Sequence, residues 1–146
     1  MSRFEKVELG VLCLVRFGNY YLLEDRLKDV WRGLTLPGCH VEKGESIVKA
    51  IIREMREETG LTILNPRLCG IRQFPKEDGR YIVVLFTADK FKGEVKSSDE
   101  GQIYWGHKDD LEKYNIVGDL IDLMDVMLSD ELSEFQYDSH GQIIKN

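Results

Sequence analysis

Glu54, Glu57 and Glu58 fall on neighbouring positions of one acid-rich segment, directly after a loop that carries Gly38 and Gly44. Carboxylates this close repel one another, and a cluster of hard divalent cations is the partner that offsets such charge. Hard cations beside a glycine loop point to phosphate chemistry. The glycines let the backbone approach a ligand, and a loop carbonyl near Gly38 would complete an oxygen shell around a metal beside Glu54 and Glu58. Two or more such ions activate a water and neutralise a leaving pyrophosphate. The competing reading is a solvated helix face, with Arg53 and Glu57 as an i,i+4 pair worth roughly 0.3 kcal/mol.

The elements that must position these groups follow from periodicity. Residues 46–59 predict a helix, capped by Ser46 and stopped by Gly60. Ile47, Val48, Ile51, Ile52 and Met55 share one arc, and Glu54 and Glu58 border it, so the acid stripe is expected along the seam between core and solvent. Before the helix, Leu9 to Phe17 and Tyr20 to Leu23 predict a hairpin turning at Gly18-Asn19. Residues 28–35, with Trp31 and Gly33, predict a loop ending at Leu36-Pro37-Gly38. After the helix, Thr62 to Gln73 and Arg80 to Ala88 predict two strands joined by a turn at residues 75–79. A short strand at Gln102 to Trp105, a helix from Asp119 to Leu128 and a terminal hairpin around residues 138–141 complete the chain. Strands alternating with two helical segments imply a mixed sheet covered by helices in one domain, 1–146.

Composition excludes several partners. A net charge of −6 leaves no basic footprint, so no nucleic-acid polymer is expected. No stretch approaches the roughly 20 apolar residues of a membrane span, so no membrane is expected either, and the first apolar run is too short for a signal peptide. Cys13, Cys39 and Cys69 are widely spaced and form no CxxC pair, which predicts free thiols and a cytoplasmic protein. A small phosphorylated substrate carried with metal stays compatible with the acidic balance, for a monomer or a homodimer.

The stretch 38–61 resembles the Nudix box of the Nudix (MutT-like) hydrolases, G-x5-E-x7-R-E-U-x-E-E-x-G-U with U a bulky aliphatic. Glu45, Arg53, Glu54, Met55, Glu57, Glu58, Gly60 and Leu61 stand at the required spacing; the departure is Cys39, where the pattern has its first glycine. The resemblance implies an α+β fold, an α/β/α sandwich with a mixed β-sheet and the loop-helix of that family. It also implies a pyrophosphohydrolase that uses Mg2+, or Mn2+ as a substitute, on a nucleoside diphosphate linked to another group.

Roles follow by the same resemblance. Glu54 and Glu58 are the primary metal ligands, Glu57 completes the cluster, and the Gly38 carbonyl joins them. Arg53 orients the glutamates with Glu45, and Gly60 is structural. Glu100, before the strand that ends in Trp105, matches a loop glutamate that binds metal or acts as base; the base stays open among Glu54, Glu57 and Glu100. Arg26 matches a phosphate-contacting arginine, and Asp119 a position that reads a purine edge. Phe74, Tyr81 and Trp31 are candidates to stack on a base, with core packing as the alternative. The later segments resemble the 8-oxo-dGTP diphosphatase branch. Pro75, 15 residues after Gly60, is the one sign of the branch that hydrolyses ADP-ribose, the alternative substrate together with nucleotide sugars. A catalytically weak nucleotide-binding module is the remaining alternative, since Cys39 alters the loop.

Overall fold

The structure, a computed structural model, describes residues 2–26, 33–97 and 101–146. Its centre is β1 (Val7–Phe17), a strand shared between two differently directed layers. On one side β1 pairs in parallel with β7 (Gly79–Ala88), from Val7 opposite Arg80 to Val15 opposite Ala88. On the other side its first half pairs antiparallel with β4 (Gly38–His40), and its end pairs with β2 (Tyr20–Arg26). The strand therefore splays its two partners, and the Pro37 carbonyl meets the Cys13 N–H where they part.

Outward from β7, the sheet continues through β6 (Arg67–Lys76), β10 (Glu134–Tyr137) and β11 (Ile143–Lys145). β6 is antiparallel to β7 and parallel to β10. Outward from β2 lie β3 (Leu34–Thr35) and, on its other edge, β9 (Gly101–His107). A separate two-stranded sheet joins β5 (Thr62–Leu64) to β8 (Lys90–Lys92). The strand expected over 62–73 is thus two strands. Asn65 adopts φ 50 and Pro66 follows it, which breaks the ladder between them.

Side chains alternate across β1, and the two faces build two cores. Leu12 and Leu14 enter a core with Leu85, Leu123, Met127 and Phe135, under α2 (Leu120–Met127). Val11, Cys13 and Val15 enter a second core with Ile51, Met55, Leu61 and Phe86, under α1 (Ile47–Thr59). The result is the expected α+β sandwich. A 3-10 turn at Lys108–Lys113 after β9 carries the chain toward α2.

α1 has the expected ends. Ser46 Oγ accepts the Lys49 N–H at 3.3 Å, and Gly60 closes the helix at φ 82. Its buried face is rotated from the expected arc. Ala50, Ile51, Glu54, Met55, Glu58 and Thr59 are buried, whereas Ile47 and Val48 are 36% and 46% exposed. The acids therefore lie within the covered face instead of at its border. The covering comes from the β4 loop, which the helix periodicity by itself does not contain.

Candidate active site

Glu54 and Glu58, four residues apart, project from one side of α1 toward β4. They are 8% and 4% exposed. Glu58 Oε2 accepts the Gly38 N–H at 2.8 Å. That bond needs the backbone of Gly38 to pass close, and it does: φ is +141, and a Cβ there would lie 2.1 Å from the Val11 carbonyl oxygen. Cys39 Sγ and carboxylate oxygens of Glu54 and Glu58 all lie within 4.8 Å of one another.

Burial pushes the Glu58 carboxyl up to about 9, with the neighbouring Glu24 and Glu54 charges acting in the same direction and the Gly38 N–H and Arg26 acting against them. Glu24, on β2 and 1% exposed, was not anticipated as a site residue. Its signal was an acid continuing the apolar run of Tyr20 to Leu23. A concentration of buried carboxylates fits a divalent cation, and oxygen donors of this kind fit Mg2+ or Mn2+. The Cys39 thiol is a softer neighbour. Burial first, and then the Glu54 and Glu58 charges, push it up to about 11, so it stands protonated at neutral pH.

Arg53 ties the acids together. Its Nε and Nη2 donate to the two carboxylate oxygens of Glu45 at 2.7 and 2.9 Å, a bidentate pair. Its Nη1 donates to Glu54 Oε1 at 3.0 Å and to Glu57 Oε2 at 3.1 Å, and Nη2 also reaches the His40 carbonyl at 3.2 Å. One guanidinium thus spans three carboxylates and the β4 backbone. The Arg53 hydrogen bond, with the Glu42 N–H, holds the Glu45 carboxyl down at about 2. Glu57 faces Arg53 with a 60% exposed side chain, apart from the Cys39–Glu54–Glu58 group.

Arg26 lies at the mouth of the same loop. Its Nη2 donates to the Gly38 carbonyl at 2.8 Å, and its Nε is 3.4 Å from Glu24 Oε2. The Gly38 carbonyl keeps a second lone pair for a metal. Glu100 and Trp31 lie outside the described residues.

From this loop a cavity of about 300 Å³ runs along β1, lined by Arg26, Gly38, Arg72, Phe74, Tyr81 and Asp119 among others. Its size suits a small organic ligand. Phe74 and Tyr81 face each other across β6 and β7 and stack with centroids 5.2 Å apart at 3°. Both were candidates for stacking, and they form one wall. Asp119, at the N-terminus of α2, is 5% exposed. Its Oδ2 accepts from Arg72 Nη2 at 2.6 Å and from the Tyr137 hydroxyl at 2.7 Å. Burial, and the hydrogen bond and charge of Asp119, push the Tyr137 hydroxyl up to about 12. Arg72 and Tyr137 were not anticipated. A lone cation inside the strand pattern Ile71-Arg72-Gln73-Phe74 was the available signal, for such a residue needs a partner across the fold.

Known proteins agree with this arrangement. The family model described as NUDIX domain matches residues 6–125. The chain is 34% identical over 121 residues to the uncharacterized Nudix hydrolase YvcI of Bacillus subtilis, covering 77% of this chain and 75% of that protein. It is 30% identical over 120 residues to the 8-oxo-dGTP diphosphatase of Buchnera aphidicola, covering 77% and 85%. The crystal structure of a mutator MutT protein from Bacillus halodurans superposes with a TM-score of 0.74 at 30% identity, covering 94% of each chain. With the helix, loop and clustered glutamates in place, the chain belongs to the Nudix family as a MutT-like hydrolase acting on phosphoric anhydrides.

Proposed function

We propose that the chain is a Mg2+-dependent pyrophosphohydrolase that converts a nucleoside triphosphate to the monophosphate and pyrophosphate, with an oxidised purine nucleotide such as 8-oxo-dGTP as substrate. One observation carries this reading: a single cavity connects the Gly38 loop, beside the buried Glu54 and Glu58, to the Phe74–Tyr81 wall and Asp119. A phosphate chain and a base fit the two ends. The likeness to a diphosphatase of 8-oxo-dGTP supports the choice of base.

Glu54 and Glu58, with the Gly38 carbonyl, hold the metal, joined by Glu57 and Glu100. When bound, Mg2+ or Mn2+ supplies neutralisation of the pyrophosphate oxygens and acidification of a water. Arg53 fixes the Glu54 and Glu57 carboxylates against Glu45. Arg26 releases or shares the Gly38 carbonyl to meet a phosphate. The proton of the attacking water goes to one of Glu54, Glu57 or Glu100. Asp119 acts at the base end. The whole of 1–146 works as one domain, as a monomer or a homodimer, in a reducing cytoplasm where its three thiols stay free. Among the described residues no helix is long and apolar enough to cross a membrane.

The test is a product-release assay with Mg2+ across 8-oxo-dGTP, unmodified deoxynucleoside triphosphates, ADP-ribose and a nucleotide sugar. Preferential release of pyrophosphate from 8-oxo-dGTP is expected. Preferential cleavage of ADP-ribose would overturn the substrate assignment, and binding without any cleavage would favour a non-catalytic module.

A further inference from the structure

Glu24 is the most deeply buried charged side chain among the described residues, 1% exposed. It stands outside the Nudix box and apart from the Cys39–Glu54–Glu58 group. Burying a carboxylate is costly unless a cation or donors meet it. Arg26 is such a cation, two residues along β2 and therefore on the same face of the strand. Its Nε lies 3.4 Å from Glu24 Oε2, while its Nη2 donates to the Gly38 carbonyl at 2.8 Å. The backbone beneath the pair is held on both edges of β2, for Glu24 lies opposite Thr35 of β3 and Ile103 of β9. Opposite Arg26 on β9 stands Gly101, where a Cβ would come within 3.1 Å of Glu24 Cγ. A glycine at that position leaves room for the Glu24 side chain.

A guanidinium held at one atom can turn, whereas one held at two has its plane set. Arg26 lines the cavity at the Gly38 end, where the phosphate chain is placed in the pyrophosphohydrolase reading. Substrate and metal contest the contact between Nη2 and the Gly38 carbonyl: the metal needs the oxygen, and a phosphate needs the N–H. The contact of Nε with Glu24 does not depend on that oxygen. We propose that Glu24 is a positioning residue for the hydrolysis: it anchors Arg26 through Nε, so that the guanidinium stays oriented toward the phosphate chain when Nη2 leaves the Gly38 carbonyl. The proposal rests on the pyrophosphohydrolase reading of this cavity.

Arginine side-chain proton–nitrogen NMR spectra of the metal-free full chain test the anchor without turnover. The Arg26 Nε–H signal, assigned by its loss in Arg26→Met, is expected to be protected from exchange in the wild type and to lose that protection in Glu24→Gln. Steady-state kinetics with a nucleoside triphosphate and Mg2+ test the consequence. Glu24→Gln keeps the shape and removes the charge, and is expected to raise KM about tenfold while kcat changes by less than about threefold. In an Arg26→Met background the same substitution is expected to add nothing, because the residue through which Glu24 acts is gone. Glu24→Asp, which keeps the charge at shorter reach, is expected to recover part of the protection and part of the KM. Additive effects of Glu24→Gln and Arg26→Met on KM would overturn the proposal. So would an unprotected Arg26 Nε–H in the wild type, or a shift in the Mg2+ requirement with KM unchanged. If the protected signal is present and depends on Glu24 yet no nucleotide is cleaved, the pyrophosphohydrolase reading fails and the anchoring of Arg26 by Glu24 stands.

Discussion

The Gly38 N–H donates to Glu58 Oε2 across a turn of chain that includes the whole β4 loop. This bond fixes the distance between the Gly38 loop, proposed to meet phosphate, and the helix that carries the acids. Gly38 achieves it with a backbone that side chains rarely tolerate, because a Cβ would strike the Val11 carbonyl at 2.1 Å. Gly38→Ala is expected to destabilise the fold by roughly 2–4 kcal/mol and to abolish turnover at temperatures where the variant stays folded. Thermal melts paired with an activity assay check both halves.

Glu54→Gln and Glu58→Gln are expected to lower kcat/KM by at least about a hundredfold, since groups that merely support metal ligands already contribute up to that much. The metal-free fold should survive Glu58→Gln, because glutamine replaces a buried carboxyl that is costly to ionise. A loss of helicity by circular dichroism would show that the glutamate is structural.

Arg53 spans Glu45, Glu54 and Glu57 with a planar fork, and lysine cannot reproduce that geometry. Arg53→Lys is expected to raise the Mg2+ concentration needed for half-maximal activity by about 10- to 100-fold. Excess Mg2+ should then recover part of the rate. An unchanged activation curve would remove Arg53 from the positioning role.

The Glu58 carboxyl titrates near 9 in the metal-free fold, above the ordinary carboxylate value of 4.5. Between those values the folded chain holds a proton that the unfolded chain has lost. Stability attributable to this group therefore falls as pH rises from about 4.5 to 9. Metal binding must displace the same proton, so affinity should rise over that window. Thermal midpoints from pH 5 to 9 should decline without Mg2+ and decline less with it; parallel curves would refute the assignment.

Cys39 places a thiol within 4.8 Å of the Glu54 and Glu58 oxygens. Soft cations bind thiolate far better than Mg2+ does. Cd2+ is expected to inhibit the wild type, and Cys39→Ser to raise the inhibitory concentration roughly tenfold, about 1.4 kcal/mol of binding. Identical inhibition curves would place Cys39 outside the metal's reach.

What the sequence discloses here is local. Ser46 and Gly60 cap α1 because capping is decided within a few residues, and the Gly18-Asn19 turn and the terminal hairpin follow for the same reason. The spacing from Glu45 to Leu61 states the chemistry without any tertiary knowledge. The burial of Glu54 and Glu58 was misjudged because the β4 loop that covers them arrives from outside the helix. Arg72 and Asp119 are 47 positions apart, and no periodicity links them. Phe74 meets Tyr81 only through the antiparallel register of β6 and β7. Asn65-Pro66, by contrast, carried a breaker signal that the long predicted strand overlooked.

β1 sends Val11 and Cys13 toward α1, and Leu12 and Leu14 toward α2. The acids proposed to hold metal are seated on the first layer. The rings and the arginine that line the cavity are seated on the second. A change of volume beneath α2 can therefore reshape the cavity while the acids keep their places. Selectivity in this molecule can drift through generations of substitution without dismantling catalysis, because the two are inherited on opposite sides of one strand.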